Sequence, residues 1–357
     1  MRILFAIGTM GGGGAERNVS LLANDLIKRG YEVGILAVWG DELLYDLDPH
    51  ISYIPLNPKS HNKLEKFLKQ IYKIRPSIKK YNPDLVISFL ADVNACVLLR
   101  TRFMKCKIIV SERNDPHKDP SIRIFRLLRR MTYPFADGYV FQTVEARDYF
   151  GRILRNKSSV IIPNPVRNGL PLHQDNHSGI IVTACRLAVQ KNLPMLIDAF
   201  KIINEKYKEY KLYIYGEGEL QGELVEYINS LNMQNSIELK GFNKNVCDRI
   251  DEAEIFALSS DYEGMSNSML EALAMGMPVI VTDCPIGGAR MLIENGVNGI
   301  LVPVGNVEAM AKAMLELIED ENKRKSIAFN ARKIRDDNSI ESILGRWVDY
   351  IRELMGE

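Results

Sequence analysis

Two carboxylates eight residues apart, Glu263 and Glu271, sit in the run Asp-Tyr-Glu-Gly-Met-Ser-Asn-Ser-Met-Leu-Glu-Ala-Leu-Ala-Met-Gly-Met-Pro, which ends at Pro278. The apolar run Glu254 to Leu258 before it predicts a buried parallel strand, and Ser259 to Gly264 a loop. Ser266 or Asn267 can cap a helix over Ser268 to Met275; Gly276 stops it, and Val279 to Thr282 predicts the next strand. Glu263 then lies in the loop at the helix mouth and Glu271 about a turn inside. The first N–H groups of a helix have no partner within it and carry the positive end of its dipole. The mouth formed by Gly264, Met265, Ser266 and Asn267 therefore suits an anion such as a diphosphate. Ionised carboxylates only accept hydrogen bonds, so one on each side suits hydroxyls flanking that anion. A nucleotide sugar has this layout, hexose at one end and ribose at the other. The plain alternative is a strand-loop-helix unit with two solvated acids.

Four further loops follow predicted strands. Cys185-Arg-Leu-Ala-Val-Gln-Lys-Asn192 places Arg186 and Lys191 five apart after the strand Ile180–Ala184. Arginine offers a planar pair of donors and lysine a point charge, a combination that suits two phosphates. A pair of solvated cations is the usual outcome in isolation; the nearby acids of the same half shift the balance. Tyr215-Gly-Glu-Gly-Glu-Leu220 allows close approach at Gly216 and Gly218, and the Gly241–Val246 loop, with Asn243, can hold a base through backbone groups. In the other half, Gly8-Thr-Met-Gly-Gly-Gly-Gly-Ala-Glu-Arg17 follows the first strand and opens a helix. A dinucleotide fingerprint needs a small residue at its sixth position, and Glu16 or Arg17 stands there, so that reading fails. Ligand contact through Gly12, Gly13 and Gly14, or simply a tight turn, remains.

The elements carrying these loops alternate. In the first half, strands at Ile3–Ile7, Glu32–Val38, Leu85–Phe89, Lys107–Val110, Gly138–Gln142 and Ser159–Ile162 are separated by helical patterns over 16–29, 63–80, 92–101, 121–133 and 144–150. A non-periodic stretch rich in Pro and Asn, 164–178, predicts a linker, after which the alternation restarts, with a helix over 246–253 among the new elements. The expected fold is α/β: two Rossmann-like doubly wound domains facing a cleft, residues 1–168 and 169–339. The last helix, about 340–357, carries Trp347, Val348, Ile351 and Leu354 on one stripe and is expected to pack back on the first domain.

The 357 residues have a net charge of only +1, but the charge is divided. Through Asn168 there are 27 Lys and Arg against 16 Asp and Glu; the remainder has 19 against 29. The basic half is expected to face something anionic. Lys59 to Lys80 holds eight basic residues and one Glu, interleaved with Leu64, Phe67, Leu68, Ile71, Tyr72 and Ile74, and Ser121 to Tyr133 is also basic and apolar. Such stretches suit an anionic membrane surface, or else apolar faces packed on a sheet with charges in water. Nucleic acid is disfavoured by the acidic second half. No apolar run approaches a membrane span, and the apolar start is too short for a signal peptide. Five cysteines without ligand spacing suggest free thiols in a reducing cytosol and no structural metal. Asp46-Leu-Asp48 is a D-x-D string in a loop and is taken as chance.

Over nearly its whole length the chain resembles family 4 glycosyltransferases of the GT-B fold. The resemblance rests on Gly-Gly-Ala-Glu-Arg17, on Arg186 with Lys191-Asn192, on Gly216-Glu-Gly-Glu-Leu220, and on the Glu263/Glu271 spacing. It implies a retaining transferase without an obligatory metal. Arg186 and Lys191 would bind the donor diphosphate, Glu271 the ribose and Glu263 the transferred sugar. The family often has a histidine after the fourth strand of its first domain; here Val110-Ser-Glu-Arg-Asn-Asp-Pro116 puts Arg113 in that place. Arginine is no base at pH 7, but it can polarise a sugar hydroxyl or a phosphate. The Ser-Glu-Arg-Asn variant resembles bacterial enzymes that build lipid-linked surface glycans from UDP-hexoses or UDP-N-acetylhexosamines. That implies a nucleotide-sugar donor, a lipid-linked glycan acceptor, and a cytoplasmic enzyme peripheral on the inner face of the cell membrane. The alternatives are a nucleotide-sugar epimerase, a phosphorylase, or a non-catalytic subunit that recruits a partner to the membrane.

Overall fold

The computed structural model describes residues 1–60, 62–154, 157–174 and 177–357. Position 61 of the basic stretch and positions 175 and 176 of the linker lie outside the described residues. The backbone divides into two compact units, Met1–Pro165 with Ile340–Glu357, and Val166–Ser339.

The first unit contains strands β1 (Arg2–Ile7), β2 (Glu32–Ala37), β3 (Ser52–Pro55), β4 (Leu85–Phe89), β5 (Lys107–Ser111), β6 (Gly138–Phe141) and β7 (Ser158–Ile161). They pair in parallel in the order β3-β2-β1-β4-β5-β6-β7. Between them run helices α1 (Gly14–Lys28), α2 (Lys63–Tyr81), α3 (Ala91–Thr101), α4 (Arg123–Thr132), α5 (Val144–Tyr149) and the short α6 (Gly151–Leu154). Covered on both faces, the central strands are unbroken apolar runs rather than alternating ones. Val19, Leu22 and Leu26 of α1 pack on one face with Ile343, Leu344, Trp347 and Ile351 of the last helix, α14 (Ile340–Met355). The Tyr350 hydroxyl fixes that helix by accepting from Tyr139 N–H and donating to the Ser158 carbonyl, both at 2.9 Å.

The second unit contains β8 (Ile180–Ala184), β9 (Lys211–Tyr215), β10 (Ile237–Gly241), β11 (Ile255–Leu258), β12 (Val279–Thr282) and β13 (Ile300–Val302), parallel in the order β10-β9-β8-β11-β12-β13. Its helices are α7 (Leu193–Lys206), α8 (Gln221–Ser230), α9 (Cys247–Ile250), α10 (Asn267–Met275), α11 (Val307–Glu319), α12 (Glu321–Ala331) and α13 (Ile334–Asp337). Two cores, one on each face of this sheet, explain its apolar strands.

Three sequence expectations are corrected. β3 has no counterpart among the predicted strands; it is a short edge strand of intermediate and exposed residues, without the apolar run that marks its neighbours. The helix expected over 246–253 closes after Ile250, because Asp251 and Glu252 turn the chain into β11. The linker is partly core: Val166, Leu170 and His173 are buried, and the N–H of Val166 donates to the Asn338 carbonyl at 2.7 Å.

Burial raises the pKa of acids in the first unit, Glu112 most of all. Glu112 is buried at the end of β5 and accepts from the Tyr133 hydroxyl, which itself accepts from Asn94 Nδ2 at 3.1 Å. Burial pushes its carboxyl up to about 7, against the pull of Arg129 and Tyr133. A folded-state value above the unfolded one means stability fully present below roughly pH 4.3 and lost as pH rises through about 7. Burial pushes Asp119 up to about 6, in the same direction. Glu112→Gln is therefore expected to gain melting temperature on wild type between pH 5 and pH 8. Equal calorimetric shifts at both pH values would contradict this.

Candidate active site

In an open α/β sheet, ligands bind outside the carboxyl ends of the strands, where the strand order reverses. In the second unit that point lies between β8 and β11. The loop after β8 carries Arg186 and Lys191; the loop after β11 carries Glu263 and leads to Gly264–Ser266. The order of strands thus brings together segments about 70 residues apart.

The two loops are stitched side by side. Asp261 N–H donates to the Gln190 carbonyl at 2.9 Å, and Ser259 Oγ donates to the carbonyls of Lys191 and Asn192, both at 2.9 Å. Asn192 Nδ2 reaches Asp261 Oδ1 at 2.7 Å. This backing puts the Lys191 ammonium against Glu263, with the two side chains 14% and 16% exposed. Burial opposes the Lys191 charge, but the Glu263 carboxylate and its hydrogen bond favour it, and its pKa is raised. Glu263 also accepts from Ser260 Oγ at 2.8 Å and Gln190 Nε2 at 3.2 Å. A small cavity beside it is lined by Ser260, Gly264, Ser266, Thr282 and Cys284. Burial pushes the Cys284 thiol up to about 12, so it stays protonated.

Ser266 caps α10, its Oγ accepting from Met269 N–H at 3.4 Å, which leaves Gly264, Met265 and Asn267 around the positive end of the helix. Gly288 supports this turn: a Cβ there would overlap the Gly264 carbonyl oxygen. Glu271, one turn along, is buried and ion-paired with Arg167 at 3.1 Å. Arg186 stands apart from Lys191: it is exposed and pairs with Glu219 at 3.2 Å. Gly216, at φ +135°, is constrained by packing, since a Cβ would collide with the Cys185 carbonyl oxygen beneath it. The half-buried Asn243 shapes its own loop, accepting from Asn245 N–H at 2.8 Å.

In the first unit the switch point lies between β1 and β4. Here the glycine loop meets the 41–45 segment: Met10 N–H donates to the Glu42 carbonyl at 3.1 Å, and the Tyr45 hydroxyl donates to the Gly13 carbonyl at 3.0 Å. Gly12 needs its φ of +109°, while Gly13 and Gly14 are exposed. Leu90, directly after β4, has φ 74° and ψ 137°, a strained position for a bulky residue. Arg113, past the end of β5, stacks over Phe89 and Trp347. Asp48 of the D-x-D string accepts from His50, ring and backbone.

Gln190, Ser260, Arg167 and Gly288 are absent from the sequence reading. Gln190 is adjacent to Lys191 but uncharged, and only the fold shows that its amide reaches both the Tyr262 carbonyl, at 2.7 Å, and Glu263. Gln190→Ala is expected to lower kcat several-fold with a smaller change in nucleotide affinity, because it loosens Glu263 and leaves Lys191 in place. An unchanged kcat would remove Gln190 from the site.

The first half, residues 12–168, matches the model for "Glycosyltransferase Family 4", and residues 172–334 match "Glycosyl transferases group 1". An uncharacterized glycosyltransferase of Methanocaldococcus jannaschii is 32% identical, covering 82% of this chain and 86% of its own. An α-1,4-N-acetyl-D-galactosaminyltransferase of Campylobacter jejuni, named for a GalNAc-extended diNAcBac-PP-undecaprenol, is 28% identical over 99% of both chains. Among solved structures, Anabaena HepE in complex with UDP and glucose superposes with a TM-score of 0.79 at 17% identity, covering 99% of this chain and 100% of its own. The paired α/β units and these matches lead to one conclusion: the chain belongs to the glycosyltransferases of the GT-B fold, a family 4 domain followed by a group 1 domain.

Proposed function

We propose that this glycosyltransferase moves a hexose or N-acetylhexosamine from a UDP-sugar to a lipid-linked glycan, with retention and without an obligatory metal, at the inner face of a bacterial cell membrane. The observation that carries this is the Lys191–Glu263 contact at the switch point, next to the N-terminus of α10. As the bond from the anomeric carbon to the diphosphate breaks, negative charge grows on the leaving oxygens. Lys191, Arg186 and the N–H groups around Gly264–Asn267 are the groups positioned to stabilise it. The acceptor oxygen bonds to the anomeric carbon on the face the diphosphate leaves, and its proton passes to the departing phosphate. Glu263 accepts from hydroxyls of the sugar; Glu271, oriented by Arg167, accepts from the ribose. Full activity in a chelator is expected.

The relatives support the substrate classes: HepE was crystallised with UDP and glucose, and the Campylobacter enzyme is named for an undecaprenyl diphosphate glycan. No helix among the described residues is long and apolar enough to cross a membrane. The first unit instead presents Leu64, Leu68 and Tyr72 on α2 and Ile122, Ile124, Leu127 and Met131 at α4, all exposed among lysines and arginines. This is the pattern of a helix that rests on an anionic bilayer.

A thermal-shift panel of UDP-, GDP-, ADP- and dTDP-sugars tests the donor. UDP-sugars are expected to raise the melting temperature. Rates with lipid-linked against soluble acceptors test the rest. A preference for another nucleotide, or soluble sugars serving equally well, would overturn the corresponding part.

A further inference from the structure

We infer that Arg113 is an anion-receiving residue of the first unit and that its ligand is a phosphoryl group of a substrate. The guanidinium plane is fixed by two rings, with Cζ 4.8 Å from the Phe89 centroid and 5.6 Å from that of Trp347. The rings themselves stack at 6.0 Å and 26°. Nη1 donates to Asn164 Oδ1 at 3.1 Å, and Gln142 Nε2 donates to the same oxygen at 2.6 Å. This leaves Nε and Nη2, both buried and both without a hydrogen-bond acceptor among the described residues. They form one edge of the guanidinium, the edge whose two parallel N–H bonds match two oxygens of a phosphate or carboxylate.

Two other buried arginines, Arg129 and Arg324, have partners on both of their Nη nitrogens. Buried Arg129 donates to the carbonyls of Asp119 and Pro116 and to the Tyr149 hydroxyl. Buried Arg324 pairs with Glu254 at 3.0 Å. Arg113 makes no ion pair with any described residue within 4.0 Å. Leaving charged donors without acceptors in a dry setting is costly, and the arrangement is explained when an anion completes it. The position fits: Arg113 lies at the carboxyl edge of the sheet and stacks on the last residue of β4, beside the switch point. Trp347 of α14 then acts as a positioning residue, which gives the returning terminal helix a role at the site as well as in the core.

The inference rests on the proposed reading that the substrates carry diphosphates. Two sources share that chemistry, the nucleotide donor and a diphosphate-linked acceptor. Arg113→Met and Arg113→Lys are compared with wild type for UDP affinity by calorimetry, and for kcat/KM with a glycan on a lipid diphosphate and the same glycan on a neutral lipid. Arg113→Met is expected to lose on the order of 10²-fold in kcat/KM with the diphosphate acceptor, with partial recovery in Arg113→Lys. A donor phosphate as the ligand also weakens UDP binding about tenfold and lowers both acceptors equally. An acceptor phosphate leaves UDP binding unchanged and spares the neutral lipid. Wild-type UDP affinity together with wild-type rates on both acceptors, in either folded variant, would overturn the inference. Loss of UDP binding in Lys191→Ala stands independently of that result and tests the donor reading alone.

Discussion

Alanine at Lys191 is expected to cut turnover on the order of 10²-fold and also to lower the melting temperature, whereas alanine at Arg186 is expected to lower turnover alone. The difference follows from burial. Lys191 and Glu263 are each about six-sevenths buried and in contact, so removing the ammonium leaves a carboxylate held, among the described residues, by the neutral donors Ser260 Oγ and Gln190 Nε2. Breaking a well-buried pair by deleting one partner costs about 3–5 kcal/mol; partial exposure here places the cost below that range. The Arg186–Glu219 pair is 72% and 52% exposed, and a solvated pair contributes about 0–1 kcal/mol. The Lys191→Ala, Glu263→Ala cycle sharpens the test. Coupled groups are non-additive, so the double variant is expected to be more stable than the sum of the single losses, with turnover little worse than in either single variant. Additive losses in both readouts would show that the contact does not couple the two residues.

That same contact has a mechanistic consequence. Lys191 serves a diphosphate only when its ammonium shares or leaves Glu263, and the carboxylate then depends on Ser260 and Gln190 for its place. On the proposed reading, donor binding would replace one anion on Lys191 by another and free Glu263 to accept from sugar hydroxyls. The same reading makes the ion pair a form of preorganisation, which reduces the cost of ordering the two groups later.

How much of this was legible in the sequence varies by the kind of signal. Strands such as Leu85–Phe89 and Ile255–Leu258 were clear because a sheet covered on both faces needs continuous apolar runs. Ser52–Pro55 was not, because an edge strand of exposed and half-buried residues carries no such signature. The loops bearing Glu263 and Lys191 could be located, since glycines and a cap bracket them. Their contact across 72 positions could not be read, because it depends on which strands are neighbours. Arg186 and Lys191 look equivalent as letters, yet the fold places one in solvent and the other beneath a carboxylate. The orientation of α4 was equally hidden. Its alternation of basic and apolar residues shows two faces but not which one turns inward.

That orientation yields the second large effect: Leu127→Glu with Met131→Glu is expected to abolish binding to anionic vesicles and to depress activity on lipid-linked acceptors, leaving the melting temperature within a degree or two. In a helix that merely packs on its sheet, the apolar side chains would be inside. Here Ile122, Ile124, Leu127 and Met131 are 54–61% exposed, while Arg129 is buried, where two carbonyls and the Tyr149 hydroxyl satisfy it. Arg123, Arg126 and Arg130 flank the exposed residues, so the surface is both apolar and cationic. Burying a leucine or methionine side chain in an apolar phase contributes about 1.5–3 kcal/mol, and each cation near an anionic leaflet about 1 kcal/mol. Losing two apolar anchors and adding two negative charges thus weakens vesicle binding by well over 100-fold. Because the two side chains face outward, the core is untouched and stability is spared. Co-sedimentation with vesicles containing 30–50% anionic lipid, against neutral vesicles, reads the result. Equal binding by wild type and variant would show that the apolar side chains of α4 serve something other than a membrane.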